Sequence, residues 1–104
     1  MGHFPHDWTG YKELVVDARL VSAKTDSSML AIRIDDFPGR TEKCWVTDHF
    51  WVGPQWQTFS MPIVDRKLRY SERNLDLTDV DKILLFLPAP KDTVRMEFDN
   101  LRLR

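Results

Sequence analysis

Only one cysteine, Cys44, stands in the 104 residues. That excludes an internal disulfide and leaves the redox compartment open, because secreted domains also do without disulfides. The four glycines are isolated from one another, so no Gly-rich loop exists to cradle a phosphate. Long apolar runs are missing as well: the longest, "ILLFLPAP" from Ile83, is closed by prolines and too short to cross a bilayer. The opening "MGHFPHDWTGY" has no apolar segment of the kind that a secretion signal needs. Charge of one sign is not in excess. Lys and Arg total 15 against 16 Asp and Glu, a net charge of −1, so neither nucleic acid nor an anionic membrane is an expected partner.

A helical period is absent too, since no stretch of about eleven residues or more repeats its apolar positions every 3.6 residues. What is present is alternation. In "KELVVDARLV", Leu14, Val16, Ala18 and Leu20 share one face against Val15, Asp17 and Arg19. "MLAIRIDDF" sets Leu30, Ile32 and Ile34 against Ala31, Arg33 and Asp35, and ends at the turn signal "PGR". "KILLFLP" is nearly continuous in apolar residues and predicts a central strand covered on both sides. In "TVRMEFDNLRLR" the apolar set moves from even to odd positions at Asp99-Asn100, which predicts a β-bulge. Six strands without a crossover helix predict one domain, residues 1–104, folded as an antiparallel β-sandwich.

The remaining two strands come from "CWVTDHFWVGPQWQTFSMP", which holds three of the four tryptophans. Gly53-Pro54 reads as a hairpin tip, placing Trp51 opposite Trp56, although proline at the second tip position is unusual for a tight primed turn. Alternation puts Trp45, Thr47, His49 and Trp51 on one face of the first strand and Val46, Asp48, Phe50 and Val52 on the other. In the second strand, Phe59, Met61 and Ile63 read as core, and Trp56, Thr58 and Ser60 face away from it. The hairpin therefore presents indoles among hydroxyls and an imidazole. A sugar ring has an apolar C–H face and a polar rim, and such a surface matches both. Tryptophans in sandwiches more often pack than bind, and Trp56 is the one most readily given to structure.

The ordered series "FPHDWTGYKELVVD", "LAIRIDDF", "WQTFSMPI", "LDLTDVDKILLFL" and "MEFDNLRL" resembles the jelly-roll, galactose-binding-like domains that include many bacterial carbohydrate-binding modules. The shared pattern is W-x-x-Y-x-x-L-x-V-D, a strand ending in paired acids, a G-W-x-T-x-x-x-P-L-like segment, L-D-L-x-x-V-x-x-I, and a closing Φ-D-N-Φ-R-L. It covers the chain from about Phe4 to the end. The resemblance implies a jelly roll, an extracellular or periplasmic setting in a secreted parent beside a glycoside hydrolase, and polysaccharide recognition. Such domains have strands before the W-x-x-Y segment, where this sequence has almost nothing. The domain is either shortened or completed by a second copy in a homodimer. Related modules hold a structural calcium through an acid of the closing strand, which makes Asp99 a candidate ligand, but the usual partner acids come from the missing strands.

No catalytic pattern stands out. Asp35 and Asp36 point to opposite faces of one strand and make a poor pair for glycoside hydrolysis. Cys44 has no base motif near it, and His3, His6 and His49 meet at a metal only if the N-terminus folds back. "RKLRYSER" reads as a solvated loop. The expectation is a non-catalytic module that binds a plant-type β-glucan or related glycan through Trp45, His49 and Trp51, with Trp56 at the margin and Arg33, Asp35 and Asp48 as polar contacts. The competing reading is a protein-interaction or oligomerisation domain using the same aromatic face.

Overall fold

The computed structural model describes residues 5–23, 26–37, 44–88 and 93–104. Six strands follow one another: β1 (Glu13–Ser22), β2 (Ser28–Asp36), β3 (Val46–Val52), β4 (Gln57–Pro62), β5 (Val80–Phe86) and β6 (Arg95–Leu103). They form two three-stranded antiparallel sheets, β4-β1-β6 and β3-β2-β5, in a sandwich-like all-β fold. The turn expected at Pro38–Arg40 lies outside the described residues, as do His3, Phe4 and the second proline of "LPAP".

β1 and β2 are the middle strands of their sheets, and their alternation is what builds the core. Leu14, Val16, Ala18 and Leu20 from β1 join Leu30, Ile32 and Ile34 from β2 in one buried cluster, with Val46 and Val52 of β3 and Met61 of β4 at its sides. Trp8 is buried in the same cluster. Its indole N–H donates to the Pro5 carbonyl at 2.8 Å and its backbone N–H to Leu77 at 2.6 Å, which fastens the segment before β1 to the segment before β5.

Two expectations fail here, each for a physical reason. β3 and β4 are not a hairpin: β3 belongs to one sheet and β4 to the other. The Gly53-Pro54 segment arches between the sheets, and the Gly53 carbonyl accepts a hydrogen bond from the Leu20 N–H at 2.7 Å. Alternation distinguishes inward from outward but not one sheet from the other, so both topologies place the same side chains in the core. β5 is not a central strand either, because it lies at the edge beside β2. Its Ile83 and Leu85 point to the core, whereas Leu84 and Phe86 are exposed. The expected bulge in β6 is present: Val15 pairs with Arg102 and Asp17 with Asp99, so β6 carries one extra residue, and Asn100 adopts φ 55° there.

Charged groups close the space between the sheets. Asp48 points to the core side of β3, away from Trp45 and Trp51, and its carboxylate accepts from both terminal nitrogens of Arg66 at 2.6 and 2.9 Å. Arg66 also donates to the Pro62 carbonyl at 2.7 Å, so this pair ties the end of β4 to β3 in the opposite sheet. Asp36, at the end of β2, is fully buried and accepts from Arg73 Nη1 at 2.8 Å and from the Asp76 N–H at 2.8 Å. A buried carboxylate keeps its charge cheaply only while such partners remain.

Two stability measurements follow. Replacing Arg73 by Met removes the guanidinium that pairs with buried Asp36 and costs about 3 kcal/mol in urea unfolding, the low end for a broken buried pair because Arg73 keeps contact with water. The double variant Arg73→Met/Asp36→Asn recovers part of that loss. Acid is the second probe. Asp7, Glu13 and Asp17 are held below their ordinary values of 3.8, 4.5 and 3.8, foremost by side-chain hydrogen bonds from Thr9, Arg104 and Thr58 respectively. Carboxyls depressed in the folded state contribute stability that is present above their unfolded values and is lost as pH falls through the folded ones. The urea midpoint is therefore expected to drop as pH is lowered from about 5 to 3, and to drop less steeply in Thr58→Val.

Candidate functional site

The outer face of the β3-β2-β5 sheet is set by register. Met29 lies opposite Trp51, and Ala31 lies between His49 and Phe86. Arg33 lies between Thr47 and Leu84, and Asp35 lies opposite Lys82. Trp45 precedes β3 and continues the face. The structure thus brings Trp45, His49, Trp51, Arg33 and Asp35 to one surface, as the alternation of two strands requires once β2 and β3 are paired.

Their environments differ. Trp51 is 63% exposed and His49 is exposed, so one end of the face offers an open indole beside an imidazole. At the other end Trp45 is half-buried. The Arg33 guanidinium sits 4.0 Å from its ring centroid, and Tyr70 meets it edge-on at 6.1 Å and 87°. A guanidinium over an indole contributes about 0.5–1 kcal/mol at an exposed site and fixes both groups in place. Arg33 is further held by a bidentate pair with Asp35, Nε to Oδ1 at 2.8 Å and Nη2 to Oδ2 at 3.0 Å. Lys82 Nζ approaches the same carboxylate at 3.8 Å. Only 7% of the Asp35 side chain is exposed, so Asp35 orients Arg33 and offers little surface of its own.

From the strand rise, Trp45 and Trp51 are six residues and about 20 Å apart. They cannot stack on one ring, but they can mark the two ends of an extended ligand. The small Ala31 between them, buried and flanked by His49 and Phe86, keeps the middle of the face low. Sequence reasoning missed Tyr70, Leu84 and Phe86. The signal for the last two was the apolar character of both alternating sets in "KILLFLP", read as double burial when one set is exposed.

The remaining candidates lie elsewhere. Trp56 stands on the outside of the β4-β1-β6 sheet, on the opposite side of the sandwich from Trp51, and it is 48% exposed rather than packed. Arg19 lies 5.1 Å from its ring centroid. Asp48 is committed to Arg66. Asp99 lies across the β1–β6 ladder from Asp17. Among the described residues no group of three or more His, Cys, Asp or Glu side chains converges as metal ligands would. His6 binds the Val80 carbonyl through Nδ1 at 2.7 Å and stacks at a tilt on Phe37. Cys44 is buried in the core cluster. No helix among the described residues is long and apolar enough to cross a membrane.

Comparison with family models, with curated proteins and with solved structures returned no match to this chain. The residues of the Trp51 face therefore carry the functional reading themselves.

Proposed function

We propose that this domain is a non-catalytic glycan-binding module whose site is the outer face of the β3-β2-β5 sheet. The observation that carries this reading is the 63% exposure of Trp51 on a face that also presents His49 and, at its far end, Trp45 with an immobilised Arg33. An exposed indole on a strand offers a flat apolar plane at small entropic cost, and the imidazole and guanidinium supply hydrogen bonds to a sugar rim. An open face of this length fits the interior of an extended polysaccharide, with a plant-type β-glucan as the leading candidate. Affinity then grows with the number of sugar units in contact, because each unit is only partly buried. The resemblance of the sequence to jelly-roll carbohydrate-binding modules supports the same reading, and under it the domain belongs to a secreted parent beside a glycoside hydrolase.

Affinity electrophoresis through a panel of soluble β-glucans tests this. Retardation of the parent protein is expected with at least one polymer. Trp51→Ala should weaken it by about tenfold or more, the scale of an aromatic anchor lost from a contact surface. Trp45→Ala should weaken it less, and Trp56→Ala should leave it unchanged. Failure of every polymer to retard the parent protein contradicts the proposal.

One observation favours a second reading. Leu84 and Phe86, 39% and 41% exposed on the same face, bring apolar surface without hydrogen-bonding groups, which suits a protein partner or a second copy of this chain. Under that reading, sedimentation at rising concentration shows a dimer that Leu84→Lys abolishes, and Trp51→Ala affects association rather than glycan retention.

A further inference from the structure

The opposite side of the sandwich carries a depression that the Trp51 face does not use. Its volume is about 330 Å³, and Asp17, Trp56, Gln57, Thr58 and Asp99 line it. That is the low end of the range for small-molecule sites. β1 supplies Asp17, β6 supplies Asp99, and β4 with its preceding residue supplies Trp56, Gln57 and Thr58. The Trp56 indole is braced from outside the depression: Arg19 lies 5.1 Å from its ring centroid, and Arg19 Nε is itself held by Glu97 Oε1 at 2.7 Å.

Asp17 and Asp99 are direct partners across the β1–β6 ladder. Like charges facing each other in a sheet oppose folding, so the pair needs compensating groups around it. Arg102 Nη1 lies 3.6 Å from Asp17 Oδ1, and the same nitrogen donates to the Asn100 carbonyl at 2.7 Å. The Thr58 hydroxyl donates to Asp17 Oδ1 at 2.8 Å, and the Asn100 N–H donates to Asp99 Oδ1 at 2.8 Å. Thr58 and Arg102 also help keep the Asp17 carboxyl ionised. Gln57 accepts the Gly53 N–H through Oε1 at 3.3 Å, so its amide N–H₂ and the Trp56 indole N–H are donors at this site.

The lining therefore sets two carboxylates beside an aromatic plane. A neutral sugar hydroxyl both donates and accepts, whereas a protonated amine donates three hydrogen bonds and accepts none. We infer that this depression binds a protonated amino sugar unit, its C–H face on Trp56 and its ammonium between Asp17 and Asp99. An N-acetylated unit loses the charge and two of the donors, and a neutral hexose never had them. The site does not depend on the Trp51 face, so each can fail without the other.

The test uses the ¹⁵N-labelled protein at a pH where the amine is protonated. It is titrated in parallel with a fully deacetylated glucosamine oligosaccharide, its N-acetylated counterpart, a neutral β-glucan oligosaccharide and calcium chloride. The deacetylated oligomer is expected to shift the Trp56 indole N–H and the Thr58 and Asp99 amides, and to bind roughly tenfold more tightly than the acetylated one at this site. Asp17→Asn/Asp99→Asn should remove that preference while its spectrum confirms the fold, and Trp51→Ala should preserve it. The inference is overturned if the acetylated or neutral oligomer shifts these resonances equally. It is overturned also if calcium moves them and the amine does not, or if no sugar moves them.

Discussion

Leu14, Val16, Ala18 and Leu20 on β1 and Leu30, Ile32 and Ile34 on β2 must be kept from water together, and the rest of the molecule is arranged around that requirement. Each middle strand is flanked by two edges, so each sheet covers its side of the core with the fewest strands that still surround one. Such a thin sandwich has little surplus burial to spend on buried polar groups. The Asp36–Arg73 and Asp48–Arg66 pairs belong to this constraint, for they sit where the sheets end and apolar side chains no longer close the gap. The outward faces lie outside that core, and the exposed aromatic residues collect there.

Much of this was legible in the residues. The in-and-out alternation of β1 to β4 is as read, because a half-buried strand leaves its period in the sequence. The phase change at Asp99-Asn100 became a bulge for the same reason. The pairing of strands was not legible. "WVGPQW" has the spacing of a hairpin, and only the arch from Gly53 to β4, with Leu20 bound to the Gly53 carbonyl, reveals two sheets. That single difference sent Trp56 to the other side of the molecule. The Asp36–Arg73 pair, 37 residues apart, left no trace in any local pattern.

The candidate site divided in the same way. Trp45, His49, Trp51 and Arg33 share a face because strand alternation and β2–β3 pairing put them there. Their individual roles came from contacts that a sequence does not display: Asp35 is largely covered and paired with Arg33, Trp45 is half-buried under that guanidinium, and Trp51 and His49 stand open. On the reverse face, Trp56 moves from a marginal platform residue to the aromatic wall of a separate acidic depression. A domain with a neutral-glycan face and an amine-selective one would engage two chemically different chains at once, without either site competing for the other.

The claim on which this account most depends is that the open indole of Trp51 is a ligand platform and not an uncovered interface. A structure of the domain with a bound β-glucan oligosaccharide tests it most directly. The account predicts a sugar ring stacked on Trp51 with hydroxyls reaching His49, and further units running along β3 toward Arg33 and Trp45. Oligosaccharide bound only elsewhere, with Trp51 buried instead against Leu84 and Phe86 of another copy, would contradict it.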